Sequence, residues 1–470
     1  MADRPETLGG LRATGWASRP VKEEIRRNAV ARIRSGQTLF PGILGYEDTV
    51  LPQLEHAVLA GHDVIFLGER GQAKTRMIRS LTGLLDEWMP IVAGSEINDD
   101  PYHPVSAHAR ALVAAEGEQT PIAWVHRDVR FGEKLATPDT SIADLIGEVD
   151  PIKVAEGRYL SDELTLHYGL VPRTNRGVFA INELPDLAER IQVGLLNVLE
   201  ERDVQIRGYK IRLPLDILLV ASANPEDYTN RGRMITPLKD RFGSQIRTHY
   251  PLELQTEIDI ARQESNLPTG DESGLEVRVP EFMEELVATV THVARSSPQI
   301  NQRSGVSVRL TVANLETLVA AATRRALRLG ETEVVPRVSD LDALIASTAG
   351  KIEVESLEEG RDADVIDHIL RGAVLTVFKE RFSVESVRQV VDAFDEELTM
   401  SAGDDLPVSA YTEALTRTPA LAAPIAGLVG DDDSPGVRAS ALELLLEGLH
   451  LSKRLNKDSV GGRASYRARA

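Results

Sequence analysis

The first half of the chain carries short apolar runs bounded by turn-forming residues. The runs are Val64–Leu67, Ile122–Arg127, Gly177–Ile181, Ile217–Ala221 and Gln245–Thr248. The most continuous of them have the length and composition of strands that are buried on both faces, as in a parallel sheet. Ala188–Glu201 lies between two of these runs and has the apolar period of an amphipathic helix. We therefore predict an α/β fold, a three-layer αβα core built on a parallel sheet.

The second half of the chain has helical period almost throughout, and Thr269–Gly274 has the turn-former composition of a linker. We therefore expect an all-α lid and further C-terminal helices after the core. The predicted domains are an N-terminal tail and basic helix at residues 1–37, the α/β core at 38–268, the helical lid at 275–350 and a helical C-terminal domain at 351–470. We expect residues 1–20 to be a loose tail and residues 461–470 to be a basic, disordered one.

The composition narrows the function classes. The 470 residues include no cysteine, which excludes disulfides, thiolate zinc sites and a cysteine nucleophile. A formal net charge of −19 argues against nucleic-acid binding, which needs a broad basic surface. The chain shows no signal-peptide pattern and no apolar run of about 18 residues. We therefore expect a cytoplasmic protein without a membrane span.

The segment after the first apolar run has the pattern of a phosphate-binding loop. Its residues are Gly68, Glu69, Arg70, Gly71, Gln72, Ala73, Lys74 and Thr75. A buried strand, a loop of small residues and a helix place backbone N–H groups and a helix N-terminus around an anion. Lys74 would reach the β- and γ-phosphates, and the Thr75 hydroxyl would bind Mg²⁺. The alternative is an ordinary strand–turn–helix whose lysine and threonine lie at the surface.

Ala73 departs from this pattern, because glycine is usual at its position. An alanine adds one methyl group and tolerates helical backbone angles. We therefore expect a nucleotide to fit if the residue has a negative φ.

Polar residues end two of the other predicted strands. Asn182 and Glu183 follow one run, and Asn224 follows another. Ligands of open α/β sheets bind at the carboxyl edge, where these side chains would lie. Phosphate-loop ATPases carry Asp-Glu where this chain has Asn182-Glu183. The Asn182 carbonyl would accept from a Mg²⁺-bound water without bringing a charge, and Glu183 would activate the attacking water. The alternative is a core strand with a polar end.

Residues 203–213 alternate apolar and polar positions around a glycine, which predicts a β-hairpin. Arg207, Tyr209 and Lys210 would project from it. They would contact a substrate or simply face solvent, and the sequence favours neither interpretation.

These motifs occur in one order: GERGQAKT, GVFAINE, the predicted hairpin, SANP, LKDRFG and SVRLT. In this order they resemble the AAA+ ATPases, within them the branch of MoxR proteins and magnesium-chelatase motor subunits. The resemblance covers about residues 38–350. Residues 128–160 are similar to the insertion of that branch, and 203–213 to its hairpin.

The resemblance implies roles for further residues. Asn224 corresponds to the first sensor, Arg241 to the arginine finger supplied to a neighbouring subunit, and Arg309 to the second sensor. Ile43 and Gly45 correspond to the turn that lies against adenine. The implied cofactors are ATP and Mg²⁺.

The resemblance also implies partners. These are copies of the chain in a ring, expected to be a hexamer, a von Willebrand factor A domain protein and a client protein. The leading hypothesis is an ATP-driven motor that remodels or chaperones its client, including insertion of a metal cofactor, with slow hydrolysis because Asn182 replaces aspartate. The alternatives are a nucleotide-gated scaffold with weak ATPase activity and the magnesium-chelatase motor subunit. A nucleic-acid motor is disfavoured by the negative charge.

Overall fold

A computed structural model describes residues 4–149, 166–201, 203–205, 212–224, 234–268, 274–302, 304–355, 361–394, 398–460 and 463–469. The chain divides into two units, Met1–His249 and Tyr250–Ala470. The first is built on a parallel sheet and the second is mainly helical. The predicted fold class, an α/β core followed by a helical C-terminal region, is confirmed.

The strands of the first unit are β1 (Val64–Leu67), β2 (Trp88–Val92), β3 (Ile122–His126), β4 (Phe131–Leu135), β5 (Gly147–Val149), β6 (Leu166–Tyr168), β7 (Gly177–Asn182), β8 (Asp203–Gln205), β9 (Arg212–Pro214), β10 (Ile217–Ala223) and β11 (Ser244–Arg247). In the described part of the chain, five parallel strands form the central sheet in the order β11-β1-β10-β7-β4. The strand that precedes the phosphate-binding loop pattern, β1, is therefore separated from β7 by one strand.

The helices of the first unit are α1 (Leu8–Ala13), α2 (Val21–Arg34), α3 (Val50–Ala60), α4 (Lys74–Ser80), α5 (Ala107–Glu116), α6 (Ile142–Leu145), α7 (Leu170–Arg173), α8 (Glu189–Glu201) and α9 (Thr236–Arg241). The buried strands send alternate side chains to opposite faces of the sheet. In β1, Val64 and Phe66 join the cluster formed with α2, α3 and α4, whereas Ile65 and Leu67 join the cluster that includes α8 and α9. This two-sided burial explains why the strand is apolar at every position.

The second strand of the central sheet is not the one that the sequence predicts. Ile122–His126 pairs with β2 in a separate antiparallel sheet. The sheet instead takes β4, which lies in the segment 128–160 that we assigned to an insertion. The sequence did not reveal β4 as a sheet strand because β4 contains a glycine and two charged residues. Most of its side chains are only half-buried. An edge strand of this kind lacks the continuous apolar run of its neighbours.

The predicted hairpin at 203–213 is confirmed as antiparallel pairing between β8 and β9. Its turn, with Arg207, Tyr209 and Lys210, lies outside the described residues.

The expectation of a loose N-terminal tail is wrong for residues 4–20. Within them α1 buries Leu8 and Leu11, and Thr7 forms a β-bridge with Pro121. The Thr7 hydroxyl also caps α1 by accepting from the N–H of Gly10. Two leucines are too few to reveal a helical period in the sequence. The segment is held by residues far along the chain, such as Pro121, which the local sequence does not indicate.

A buried ion pair joins α2 to the start of β4. Both carboxylate oxygens of Glu24 accept from Arg130, each at 2.7 Å. Arg130 is fully buried and also donates to the backbone oxygen of Arg176, directly before β7. The guanidinium group is thus satisfied on several sides, and it links α2 to the first residues of two adjacent strands.

The second unit contains the helices α10 (Leu254–Glu264), α11 (Glu281–Ser296), α12 (Arg309–Leu329), α13 (Leu344–Ala349), α14 (Asp362–Arg381), α15 (Val384–Ala393), α16 (Val408–Arg417), α17 (Ala422–Val429) and α18 (Pro435–Leu451). Its strands are β12 (Glu276–Val277), β13 (Glu333–Val334), β14 (Thr399–Gly403), β15 (Leu455–Val460) and β16 (Arg463–Ala468). One apolar cluster runs from α10 to β16. The structure therefore packs the predicted lid and the predicted C-terminal domain around a common core, and α10 belongs to this unit.

The predicted disordered tail is also wrong in its described part. Residues 463–468 form β16, which pairs with β14 and β15 in an antiparallel sheet. The Tyr466 side chain is buried, and its hydroxyl donates to Glu447 of α18. The basic residues that suggested disorder lie on a strand whose partners are distant in sequence.

Among the described residues, no helix combines the length and the apolar composition that crossing a membrane requires.

We predict that Glu24→Ala destabilises the first unit by about 3–5 kcal/mol, because the Arg130 guanidinium stays buried without its carboxylate. All three tryptophans of the chain, at positions 16, 88 and 124, belong to this unit. Urea unfolding followed by tryptophan fluorescence therefore reports the change.

The matched control is Arg27→Ala on the same helix, which removes an exposed pair with Asp86. Such a pair contributes less than about 1 kcal/mol. Equal effects of the two substitutions would contradict a special role for the buried pair.

Candidate functional site

The carboxyl ends of β1, β10 and β7 form one edge of the sheet. Leu67 is in register with Ala223, and Ala221 is in register with Ile181. The pairing continues past β1, where the N–H of Gly68 donates to Ala223 O at 3.1 Å. Neighbouring strands lie about 4.8 Å apart. The phosphate-loop pattern, Asn224 and Asn182-Glu183 therefore follow three adjacent strand ends at one edge.

The loop from Gly68 to Ala73 encloses the Lys74 side chain. The ammonium group donates to the backbone oxygens of Gly68 and Glu69, the latter at 2.7 Å. Lys74 is 7% exposed although it carries a charge. Thr75 follows as the second residue of α4 and is half-buried. A cation buried at a helix N-terminus fits an anionic ligand, because both favour negative charge there.

Ala73 has a φ of +54°, so our condition for this position, a negative φ, is not met. The residue precedes α4 in the left-handed conformation that glycine adopts freely. This conformation costs an L-residue about 1–2 kcal/mol. The replacement of glycine by alanine at this position therefore adds backbone strain to the loop.

Side chains from other elements hold the loop. The Gln72 Oε1 accepts from the N–H of Glu69 at 3.0 Å and from the Thr248 hydroxyl at 2.7 Å. The Tyr46 hydroxyl lies 3.0 Å from the backbone oxygen of Gln72, and burial raises the pKa of Tyr46, so that it stays protonated. A Cβ at Gly68 would lie 1.8 Å from the Thr248 Oγ1. Only glycine fits this close approach.

The predicted adenine-binding turn lies directly before Tyr46. Ile43 is buried in the same apolar cluster as Tyr46, and Gly45 has a φ of +79°. The turn is thus connected to the loop through the Tyr46 hydroxyl. Its contact with adenine stays a prediction.

Asn182 is hydrogen-bonded on both sides of its amide. Its Nδ2 donates to Glu133 Oε1 at 2.6 Å, and its Oδ1 accepts from the Ser222 hydroxyl at 3.2 Å. The second oxygen of Glu133 accepts from Arg79 Nε at 2.9 Å. A row of polar groups therefore runs from the middle of β4 to the carboxyl ends of β7 and β10.

Two features distinguish Glu183 and Asn224. Glu183 has a φ of +54°, a conformation that non-glycine residues keep mainly where surrounding structure imposes it, as at functional sites. Asn224 is 3% exposed, and its Oδ1 has no hydrogen-bond partner among the described residues. Buried polar atoms are almost always satisfied, so this oxygen fits a donor from outside the described residues, such as a water or a ligand.

The predicted arginine finger lies away from this edge, and the predicted second sensor belongs to the other unit. Arg241 is exposed at the end of α9, before β11. Ser244 is in register with Val64 at the start of β1, and a Cβ at Gly243 would meet the His62 ring. Arg241 therefore lies near the amino edge of the sheet and is not brought together with Lys74. Arg309 is the exposed first residue of α12, in the second unit.

Three residues of the site were missed by sequence reasoning: Glu133, Tyr46 and Thr248. Thr248 is the last residue of a predicted strand and would have been found by the same carboxyl-edge argument as Asn224. Glu133 gave no signal, because its strand was not recognised.

Comparisons with known proteins give the following matches. The family model described as Sigma-54 interaction domain matches residues 156–242. The magnesium-chelatase subunit ChlI of Anabaena variabilis is 30% identical over 223 residues, covering 46% of this chain and 62% of the relative. The subunit ChlI of Nostoc sp. is 29% identical over 250 residues, 52% of this chain and 62% of the relative.

A third relative, the magnesium-chelatase 38 kDa subunit of Rhodobacter capsulatus, is 28% identical over 249 residues, covering 52% of this chain and 65% of the relative. The chain thus spans less than two thirds of the length of these relatives. Among solved structures, a cryo-EM-based model of the complex between subunits BchI and BchD of magnesium chelatase matches with 23% identity and a TM-score of 0.35, covering 70% of this chain and 98% of that one.

We predict that Ala73→Gly stabilises the first unit by about 0.5–1 kcal/mol, because relief of the left-handed strain exceeds the added entropy of the unfolded chain. Urea unfolding followed by tryptophan fluorescence measures the difference. The matched control is Ala111→Gly on the exposed face of α5, where glycine costs about 1 kcal/mol. A loss of stability in both variants would show that Ala73 is not strained.

Proposed function

We propose that this chain, which belongs to the AAA+ ATPases of the magnesium-chelatase branch, binds ATP and Mg²⁺ at the carboxyl edge of its sheet and hydrolyses the ATP. The proposal rests on one observation. The loop that encloses Lys74 follows β1, Asn224 follows β10 and Glu183 follows β7, and these three strands are adjacent in the sheet. The order of these strands supports the proposal, because the groups that would bind phosphate and those that would activate water follow neighbouring strand ends.

The residues at this edge fit the nucleotide and its metal. The buried Lys74 ammonium and the N-terminus of α4 would hold the phosphates. The Thr75 hydroxyl would bind Mg²⁺ directly, and the Asn182 amide oxygen would accept from a water on the metal. When bound, Mg²⁺ neutralises charge on the phosphate oxygens. The backbone around Ile43 and Gly45 would contact adenine.

Glu183 would accept the proton of the attacking water, and the Asn224 amide would hold that water in place. The unpartnered Oδ1 of Asn224 supports this role, since it needs a hydrogen-bond donor. Arg309 would respond to the nucleotide as the second sensor.

Arg241 would act on the ATP of a neighbouring copy. It lies near the amino edge of the sheet, about 10 Å of strand away from the loop of its own chain. An exposed arginine in this place suits delivery to a second subunit. Contacts of this head-to-tail kind close into a ring, for which we propose a hexamer.

We propose that the ring works as a MoxR-like motor, which remodels or chaperones a client protein or inserts a metal cofactor into it, together with a von Willebrand factor A domain protein. A second candidate is a magnesium-chelatase motor subunit, which the names of the curated relatives favour. A third is a nucleotide-gated scaffold with weak ATPase activity, which the neutral side chain of Asn182 favours.

We predict that Lys74→Ala lowers ATP affinity at least about tenfold, because the phosphates lose their buried cation. Glu183→Gln should keep ATP binding and lower turnover by about 10²–10⁴-fold, since it removes a general base. Binding of a fluorescent ATP analogue and steady-state phosphate release measure the two effects.

Lys239→Ala, an exposed lysine on α9, is the matched control and should bind and hydrolyse like the unsubstituted chain. Wild-type turnover in Glu183→Gln would show that another group is the base.

We predict that Glu183→Gln and Arg241→Ala, each inactive alone, complement each other when mixed. At a mixed interface, the intact Glu183 of one chain meets the intact Arg241 of the other. Random mixing of equal amounts gives about a quarter of such interfaces, so phosphate release should recover to about that fraction. The separate variants measured at the same total concentration are the controls. No recovery would mean that Arg241 does not act between subunits.

A further inference from the structure

We infer that Glu133, one strand away from Asn182, supplies the carboxylate of the magnesium site. The inference rests on the proposed function, and it adds a residue that the sequence motifs do not indicate. In the usual pattern, one aspartate at the end of the strand equivalent to β7 carries this charge. Here we propose that the charge stands on β4 and that Asn182 holds it in place.

The side chains of Asn182 and Glu133 are in direct contact. Asn182 Nδ2 donates to Glu133 Oε1 at 2.6 Å, and short hydrogen bonds are characteristic of charged acceptors. The Ser222 hydroxyl donates to Asn182 Oδ1 at 3.2 Å. These two bonds fix which side of the amide carries the oxygen. The position that would hold the metal-bound water therefore has a carboxylate beside it.

The second step places Glu133 against the helix that carries the other metal ligand. Glu133 Oε2 accepts from Arg79 Nε at 2.9 Å. Arg79 follows Thr75 by four residues on α4, so the two lie on the same face of the helix, one turn apart. One turn spans about 6 Å. Glu133 is in register with Ala180 on β7, and its side chain thus lies between Asn182 at the end of that strand and Arg79 on the helix that carries Thr75.

The third step is electrostatic. Mg²⁺ prefers oxygen ligands and usually has one or two carboxylates close by. Asn182 contributes oxygen without charge, whereas Glu133 contributes a full negative charge and is mostly buried, with 20% of its side chain exposed. Its partner Arg79 is 63% exposed, so solvent weakens the pair. A divalent cation near Asn182 would therefore compete with Arg79 for the Glu133 carboxylate.

The pairing is tested by exchanging the two groups. Asn182→Asp places two carboxylates in contact, and we expect its melting temperature in EDTA to fall by at least about 3 °C. The double variant Glu133→Gln/Asn182→Asp restores one amide and one carboxylate and should melt within about 1 °C of the unsubstituted chain. Tryptophan fluorescence follows the melting. No loss in Asn182→Asp, or no recovery in the double variant, would overturn the pairing.

The metal role is tested by ADP binding at equilibrium, in EDTA and across a Mg²⁺ titration. Glu133→Gln should reduce the Mg²⁺-dependent gain in ADP affinity at least about tenfold and leave the affinity in EDTA unchanged, because only the metal loses a charge. The exchanged double variant should regain it. Glu116→Gln at the exposed end of α5 is the matched control and should keep the full gain.

The outcomes separate this inference from the proposed function. If Glu133→Gln keeps the whole Mg²⁺-dependent gain, the inference is wrong and the nucleotide site stands. If the unsubstituted chain binds no ADP with or without Mg²⁺, the proposed function is wrong and the inference is wrong with it.

Discussion

The parallel register of β1, β10 and β7 is the constraint on which the rest of the site depends. Each strand contributes its polar residues only after its last apolar position, so the register decides whether these residues meet. A slip by one residue would turn every side chain of the strand to the opposite face and bury polar groups in an apolar cluster. The cores on the two faces of the sheet therefore fix the position of Lys74, Glu183 and Asn224 as firmly as the hydrogen bonds do.

The remaining strand, β4, is positioned by charge as well as by apolar burial. Arg130 precedes it, pairs with Glu24 of α2 and donates to the backbone before β7. Gly177 allows this approach, since a Cβ there would lie 2.0 Å from the Arg130 oxygen. The starts of β4 and β7 are thereby held together in a register that places Glu133 beside Ala180. The Glu133 side chain then reaches Asn182 at the end of β7, so the ion pair at the amino edge supports this contact.

The sequence predicts the parts of the fold in which local pattern and burial agree. β1, β7 and β10 are apolar at nearly every position because both faces are covered, and α8 shows its amphipathic period. The local sequence pattern does not predict a strand whose pairing partners are distant in sequence. The segment of β16 has the basic composition of a disordered tail, and it forms a strand because it pairs with β14 and β15. In the site, the motif residues could be predicted, but Glu133 could not. The backbone strain at Ala73 and Glu183 was equally hidden, since φ depends on how the loop is held.

The two departures from the usual pattern differ in physical character. Ala73 adds strain, because its methyl group stands on a backbone conformation that favours glycine, although the residue packs against the apolar cluster that includes α2, α3 and α4. The neutral amide of Asn182, by contrast, suits the neighbouring carboxylate of Glu133. With Glu133 within 2.6 Å, an aspartate at 182 would face a like charge in a half-buried site, whereas the amide donates a hydrogen bond to it. The neutral residue on β7 and the acidic residue on β4 therefore account for each other, and the site keeps one carboxylate near the predicted metal position.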